Sequence, residues 1–595
     1  MIALFLAIPN LGDTYLWADE ADTAVIARNI LTFGLPVMND GRNVIQYYPT
    51  VYDAHYVVVV SPWLFYYIAA ASFGLFGIST ATARLPFVLI GVIAIAMFPA
   101  VVRRMTRDPW IRALAPLVLA TSVPFLLYFR QCRYYTPMIL GVIWLVWAYL
   151  RLIESPEKRP WNALHAVLAA GVVFHTHYLV CLGLFVGLGM HWLAACGTRI
   201  PLKTMAGMVC GFAVLTVPWI LYAQATILST FSSRYLGPTD MMSLIERTAH
   251  FLSKMSARLG EDFAPPLLLM VFIWLLVDQR YRRWKIVACI GCISLVATTL
   301  MVPGFTYVAA VCIGLVAVRL AVDLARKRIP VTPFSLTWML PTCLIFTLTF
   351  IGPSDEVRYL TGIVPFVYVG LLRLFRDLRG LFPRLSTALL LVFLFTNVFR
   401  AAPASALSML PMTAMEFSEI LKESGWSRRI GLAQHMPEDR RLYHRTAIMD
   451  DAIRVRAPLQ SYLYEYLYEL THSYDGPDEG ITKYLRQHGT PQDTVKVDSS
   501  PIPLIFYTGM VVLPQHLFMS ADIEPQWVIL RYGNWHGVTE DYMAHIRQRY
   551  DRIELPYPDL PFENRPELSL HHFRLPENAY PHVVVYRRRV ADTMK

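Results

Sequence analysis

RLPFVLIGVIAIAMFPAVV, residues 84–102, is an apolar run closed at its C-terminal side by Arg103, Arg104 and Arg107. At about 1.5 Å per residue, a helix of this length nearly covers a hydrocarbon core of about 30 Å. Runs of the same kind recur at 112–129, 134–150, 162–174, 178–195, 205–224, 263–278, 285–301, 304–320, 333–351, 359–375 and 385–402. The opening run, Ile2 to Pro9, is too short to span and has neither a basic residue ahead of it nor a cleavage site behind it. It reads as the remnant of a further span rather than a signal peptide. The pattern predicts a multi-pass α-helical membrane protein of about 13 transmembrane helices.

Composition agrees. Of 595 residues, 55% are apolar and 16% are charged, against about 25% charged in soluble domains, which excludes an ordinary soluble enzyme. Residues 1–402 carry a net charge of +14 and residues 403–595 a net charge of −4. The basic excess therefore flanks membrane spans and implies contact with a lipid bilayer, not with nucleic acid. The arginine and lysine clusters fall in every second loop, so the positive-inside rule places them in the cytoplasm. By parity the loops 11–83, 225–262 and 352–358 and the whole tail lie outside. The segment PWLFYYIAAASFGLF (62–76) is apolar but reaches only about 22 Å as a helix. It is expected to lie along the outer interface, with Ser61 as N-cap and Pro62 at the first helical position. All eight cysteines lie in the apolar part without short paired spacings, as small core residues do.

The tail, 403–595, reads as a small extracytoplasmic α/β domain. Helical periodicity covers Tyr462 to Leu470 and Asp478 to His488, and extended runs cover Thr494 to Val497, Trp527 to Leu530 and Val583 to Tyr586. Gly476, Gly480 and Gly509 have no phosphate-cradling spacing.

Six of the 18 acidic residues of the membrane part sit before residue 60: Asp13, Asp19, Glu20, Asp22, Asp40 and Asp53. Helix packing needs no acids there, so the first outer loop is where chemistry is expected. Within it WADEADTAVIARNIL (17–31) predicts an amphipathic helix stopped by Gly34 and Pro36. Asp19 and Glu20 stand at its N-terminal end, where the helix dipole favours an ionised carboxylate, the form a general base needs. Capping an interfacial helix is the alternative reading of both acids.

The stretch 17–102 resembles the polyprenyl-phosphate-sugar-dependent glycosyltransferases of the C-type (GT-C) membrane superfamily, which include protein O-mannosyltransferases and the lipid A aminoarabinose transferase. The residues that carry the resemblance are Asp19-Glu20 after an aromatic residue, ARNIL-x-x-G-x-P (27–36), Ser61-Pro62 opening a helix that ends in LFG (75–77), and ARLP (83–86) opening the next span. The resemblance implies transfer of a sugar from a polyprenyl-phosphate carrier to an acceptor hydroxyl of a glycolipid, polysaccharide or protein. It places the reaction on the outer face of the plasma (inner) membrane, with inversion at the anomeric carbon. It also implies that Asp19 is the base and that Glu20 orients Asp19 or a substrate hydroxyl.

A departing phosphate requires cations near the outer helix ends. FRQCRYY (129–135) offers Arg130, Arg133 and Tyr134, and DEVRYLTGIVP (355–365) offers Arg358 and Tyr359; both are similar to the family's Arg-Tyr patterns. Arg84 either holds phosphate or anchors its span. His175 and His177 are further candidates for phosphate or core hydrogen bonding, or, in an extended segment, for a metal. No cofactor is firmly implied, although an Asp-Glu pair is also compatible with a weakly held divalent cation. The chain departs from the aminoarabinose transferases in lacking a lysine ahead of Ser61-Pro62. It also shows no counterpart of the second carboxylate that some relatives carry near residues 131–132, where Gln131 and Cys132 stand. A multi-pass transporter or flippase is the alternative class, but no two-fold repeat and few mid-span ionisable residues are visible.

Overall fold

The structure is a computed structural model. It describes residues 1–45, 51–195, 200–235, 241–277, 284–299, 305–351, 356–408, 459–497, 501–513, 524–531, 540–560, 563–568, 570–575 and 581–589. Eighteen helices are described through residue 408. The first nine are α1 (Ile2–Ala7), α2 (Ala18–Phe33), α3 (Leu64–Phe76), α4 (Thr80–Met105), α5 (Pro109–Thr121), α6 (Val123–Phe129), α7 (Tyr135–Glu154), α8 (Arg159–Thr176) and α9 (Tyr178–Ala195). Then come α10 (Leu202–Tyr235), α11 (Met241–Arg258), α12 (Leu267–Val277), α13 (Lys285–Thr299), α14 (Phe305–Ala325), α15 (Leu336–Ile351), α16 (Val364–Leu381), α17 (Pro383–Phe395) and α18 (Val398–Ser408).

Over its described residues each of the twelve apolar runs is mainly helical. Among the described residues seven helices are long and apolar enough to cross a membrane, and an eighth crossing results if α5 and α6, bent by 57°, form one broken span. The other apolar helices, such as α12, α13 and α17, are shorter than the expected spans. Arg104 pairs with Glu154 at 3.1 Å and Arg376 with Asp108 at 2.8 Å, gathering basic clusters at one end of the bundle. The start of α4 lies at the other end. There a capping box, in which Ser79 Oγ accepts from the Thr82 N–H at 3.2 Å and Thr82 Oγ1 from the Ser79 N–H at 3.0 Å, fixes its first turn.

Two local expectations are corrected. The helix after Ser61-Pro62 begins at Leu64, with Trp63 as its N-cap. Trp63 donates its indole N–H to the Val58 carbonyl at 2.8 Å, and the Ser61 hydroxyl shares a hydrogen bond with Tyr66 instead of capping. The helix α2 is not a half-solvated interfacial helix, because Glu20 through Ala27 are all buried. It is packed between α3 and a helix of the tail. Its stop is as expected: Gly34 takes a left-handed φ of 76°, which costs glycine nothing.

In the tail, α19 (Tyr462–Glu469), α20 (Pro477–His488), α21 (Pro501–Thr508) and α22 (Glu540–Arg549) accompany five strands, β1 (Thr494–Val497), β2 (Val511–Leu513), β3 (Trp527–Leu530), β4 (Tyr550–Pro558) and β5 (His582–Arg588). The sheet order is β2-β1-β3-β5-β4. Strand β1 runs parallel to β2 and β3, and β5 is antiparallel to β3 and β4. The predicted α/β character is therefore present, with strands at the positions read from the sequence. Val495, Val497, Trp527, Ile529, Val583 and Val585 form the buried face of the sheet. Helix α21 lies on α2, so the tail covers the segment that carries Asp19.

Candidate active site

Asp19 stands in the first turn of α2 with its side chain 28% exposed. Two guanidiniums from separate span entrances meet its Oδ2. Arg133, from the link between α6 and α7, approaches to 3.3 Å, and Arg358, on the 3-10 turn Val357–Ile363 that leads into α16, forms an ion pair with it. Arg133 also donates to the Asp19 carbonyl and to Thr23 Oγ1, each at 3.0 Å. Burial by itself pushes the Asp19 carboxyl upward, but Arg358, Arg133 and Arg565 together hold it below its ordinary value, so it is ionised.

One helical turn on, Asp22 Oδ2 lies 3.6 Å from the same Arg133. Burial, opposed by Arg133 and reinforced by the negative charge of Asp19, pushes the Asp22 carboxyl up to about 7. Two carboxylates on one helix face thus have opposite protonation tendencies, the division of labour that acid-base sites use.

Around this pair Tyr134 meets Tyr135 edge-on at 4.7 Å and His177 edge-on at 5.1 Å, and His177 meets Tyr359 at 4.7 Å. Burial and the nearby Arg358 lower the His177 imidazole to about 3, leaving it uncharged. Among the described residues, Arg133 Nε, Arg358 Nε, Asp22 Oδ1 and the hydroxyls of Tyr128, Tyr134 and Tyr135 have no hydrogen-bond partner. Buried polar groups are nearly always paired, so such a concentration marks a place where a polar ligand completes the bonding. Beside it, an apolar cleft of about 570 Å³ opens between α3, α8 and α10, lined by Trp63, Leu168, Leu215, Trp219 and Tyr222 with His175 at its wall.

The structure thus brings Asp19, Arg133, Tyr134, His177, Arg358 and Tyr359 together. It does not bring the other four candidates to the same place. Glu20 is fully buried in a bidentate pair with Arg84 at 2.7 and 2.9 Å and accepts the Cys132 N–H at 2.7 Å. Arg84 directs its remaining donors to the carbonyls of Leu11, Thr14 and Tyr15. The expectation that Glu20 orients Asp19 or substrate, and the phosphate reading of Arg84, are corrected by this geometry: the two neutralise each other in the core. Arg130 faces the tail, donating to the carbonyls of Pro9 and Asn10 and lying 3.6 Å from Glu469. His175 points away from His177, its Nε2 bonded to the Leu215 carbonyl at 2.8 Å. Among the described residues no three His, Cys, Asp or Glu side chains form a metal-ligating group.

Sequence reasoning missed Asp22, although its i, i+3 spacing from Asp19 on a helix signals a shared face. It also missed Tyr135, Arg565 and Glu567. The last two come from the tail, and no local pattern joins them to Asp19.

Residues 60–222 match the family model of dolichyl-phosphate-mannose-protein mannosyltransferase. No curated protein sequence matches the chain. Among solved structures, ArnT from Cupriavidus metallidurans in the apo state is 14% identical, with 98% of this chain and 96% of that chain covered and a TM-score of 0.50. The same protein bound to undecaprenyl phosphate is 14% identical, with coverage of 99% and 97% and a TM-score of 0.45. The archaeal oligosaccharyltransferase AglB from Archaeoglobus fulgidus, in complex with an inhibitory peptide and a dolichol-phosphate, is 10% identical, with coverage of 94% and 74% and a TM-score of 0.40. Residues 60–222 are thus similar to that mannosyltransferase family, and the chain shares its fold with apo ArnT.

Proposed function

We propose that the chain transfers a sugar from a polyprenyl-phosphate carrier to an acceptor hydroxyl on the outer face of the plasma membrane, with inversion. Residues 1–402 form the catalytic membrane domain and 403–595 an outer domain that closes over it. The observation that supports this reading most is the ionised Asp19 held by two arginines from different span entrances. Asp19 takes the proton of the acceptor hydroxyl as its oxygen bonds to the anomeric carbon. The bond from that carbon to the phosphate oxygen breaks, and the electron pair leaves with the polyprenyl phosphate. Arg358 and Arg133 stabilise the charge that develops there.

In the free enzyme these arginines make Asp19 a weak base. A phosphate that draws them away restores its basicity at the moment it is needed. The apolar cleft beside His175 fits the prenyl chain, and Tyr134, Tyr135 and uncharged His177 supply neutral donors around the phosphate and sugar. The acceptor is a glycolipid, polysaccharide or protein hydroxyl.

The test is reconstitution of the full chain in lipid with undecaprenyl phosphate carrying labelled mannose, glucose or arabinose, plus an envelope extract as acceptor. Label moving to a non-prenyl product with release of undecaprenyl phosphate supports the reading. Label crossing the bilayer on its original carrier, with no transfer, rejects it in favour of transport.

A further inference from the structure

The tail does more than cover the bundle. Its segment 563–568 is pressed against the start of α2 at several points. Asn564, at a left-handed φ of 54°, donates its amide to the Tyr15 carbonyl at 2.8 Å. Asparagine is among the few residues that tolerate such a backbone. The Arg565 guanidinium lies over the Trp17 ring, 5.2 Å from its centroid, and acts electrostatically on Asp19. Leu568 is buried with Leu6 of α1 and Val123, Leu126 and Leu127 of α6. Between these fixed points Glu567 is 2% exposed, and its Oε2 has no hydrogen-bond partner among the described residues.

The charged and titratable groups that Glu567 faces are Arg358, Arg565, Glu356, Tyr128 and Tyr135. Three of these, Arg358, Tyr128 and Tyr135, belong to the cluster around Asp19. Burial, opposed by Arg565 and Arg358, keeps the Glu567 carboxyl above its ordinary value. A carboxyl accepts a hydrogen bond from a sugar hydroxyl in either protonation state, and in its protonated form donates one as well. A sugar joined to a phosphate on Arg358 has its ring one bond from that phosphate.

We propose that Glu567 of the C-terminal domain is a specificity-determining residue that hydrogen-bonds one hydroxyl of the sugar being transferred. The inference rests on the reading of the site given under Proposed function. It makes the tail part of the donor site beside Arg358: the same element that covers α2 also inspects the donor.

The experiment compares wild type, Glu567→Gln and Glu567→Ala, as full chains in lipid at matched protein levels. The donors are undecaprenyl phosphate carrying mannose, glucose or arabinose, together with the monodeoxy counterparts of whichever sugar is transferred. A site that hydrogen-bonds a substrate hydroxyl rejects the analogue lacking it. Wild type should therefore lose about tenfold to a hundredfold in kcat/KM with one particular deoxy donor. Glu567→Ala should transfer the full sugar at about the rate of that deoxy donor, and so lose the preference. Glu567→Gln, which keeps a donor and an acceptor, should retain most of the preference. If Glu567→Ala is active with an unchanged preference at every hydroxyl, the inference is overturned while the transferase reading stands. An inactive Glu567→Ala alongside a Glu567→Gln that keeps activity but loses no more with any deoxy donor than with the parent sugar also overturns it. If wild type transfers from none of these donors, both readings fall.

Discussion

Asp19 and Asp22 share one guanidinium: Arg133 reaches Asp19 Oδ2 with Nη2 at 3.3 Å and Asp22 Oδ2 with Nη1 at 3.6 Å. One cation between a half-buried and a buried carboxylate favours a state in which only one of them is ionised. The second arginine, Arg358, lies on Asp19 and decides which. Asp22 therefore keeps its proton up to about pH 7 and Asp19 does not.

A pH-dependent stability follows for Asp22. Its folded pKa is raised, so its contribution to stability is fully present below the ordinary aspartate pKa and is lost as pH rises towards 7. The Tm of Asp22→Asn in detergent should gain on wild type between about pH 4 and 7 and run parallel to it above, an effect of the order of a few kcal/mol. A constant difference across that window would show that Asp22 does not change protonation there.

Arg358→Ala removes the closest cation from Asp19. The Asp19 carboxyl then rises, remains protonated to higher pH, and moves the acidic limb of the kcat/KM profile upward. Loss of a phosphate contact should also lower kcat/KM by about a hundredfold or more. An acidic limb that stays in place would contradict the role of Asp19 as base.

The Glu20–Arg84 pair should behave as a structural element. Breaking a buried, fully bonded ion pair from one side costs about 3–5 kcal/mol because the remaining charge is stranded. Glu20→Gln and Arg84→Met should each lower Tm and membrane abundance, and the double variant should recover part of the loss. A Tm equal to wild type with a raised KM for the lipid donor would instead restore the substrate-binding reading.

How the tail is fixed can be probed at Arg130. Its neighbour Glu469 also bonds His571 Nε2 at 2.8 Å, and Tyr466 donates to the Leu6 carbonyl at 2.6 Å, so α19 is tied to the membrane body through this group. Arg130→Ala should raise amide exchange in 462–469 and 563–573 while leaving the β-sheet protected. Unchanged exchange in both segments would mean that apolar packing alone holds the tail.

The sequence made the fold legible because spans are local objects: each apolar run and its flanking arginines can be read without knowing its neighbours. The strands 494–497 and 527–530 were legible for the same reason, through β-branched and aromatic runs between turn residues. Asp19, Arg133 and Arg358 were singled out by their resemblance to the acidic and Arg-Tyr positions of a known family, and the structure brings the three side chains together. What could not be read was pairing. Whether an arginine beside a span faces substrate, as Arg358 does in our account, or a buried glutamate, as Arg84 does, depends on tertiary contacts across the chain. Glu567 is the extreme case, since only the docking of the tail brings it near residues 128, 135 and 358.

The most direct measurement is glycan analysis of envelope lipids, polysaccharides and proteins from cells carrying wild-type, deleted or Asp19→Asn protein at matched levels. Removing a general base lowers its step by about 10²–10⁴-fold. The account predicts that one sugar disappears from one acceptor class in both the deletion and Asp19→Asn. A full glycan profile in Asp19→Asn cells, against its loss on deletion, would contradict the assignment of Asp19 as the base.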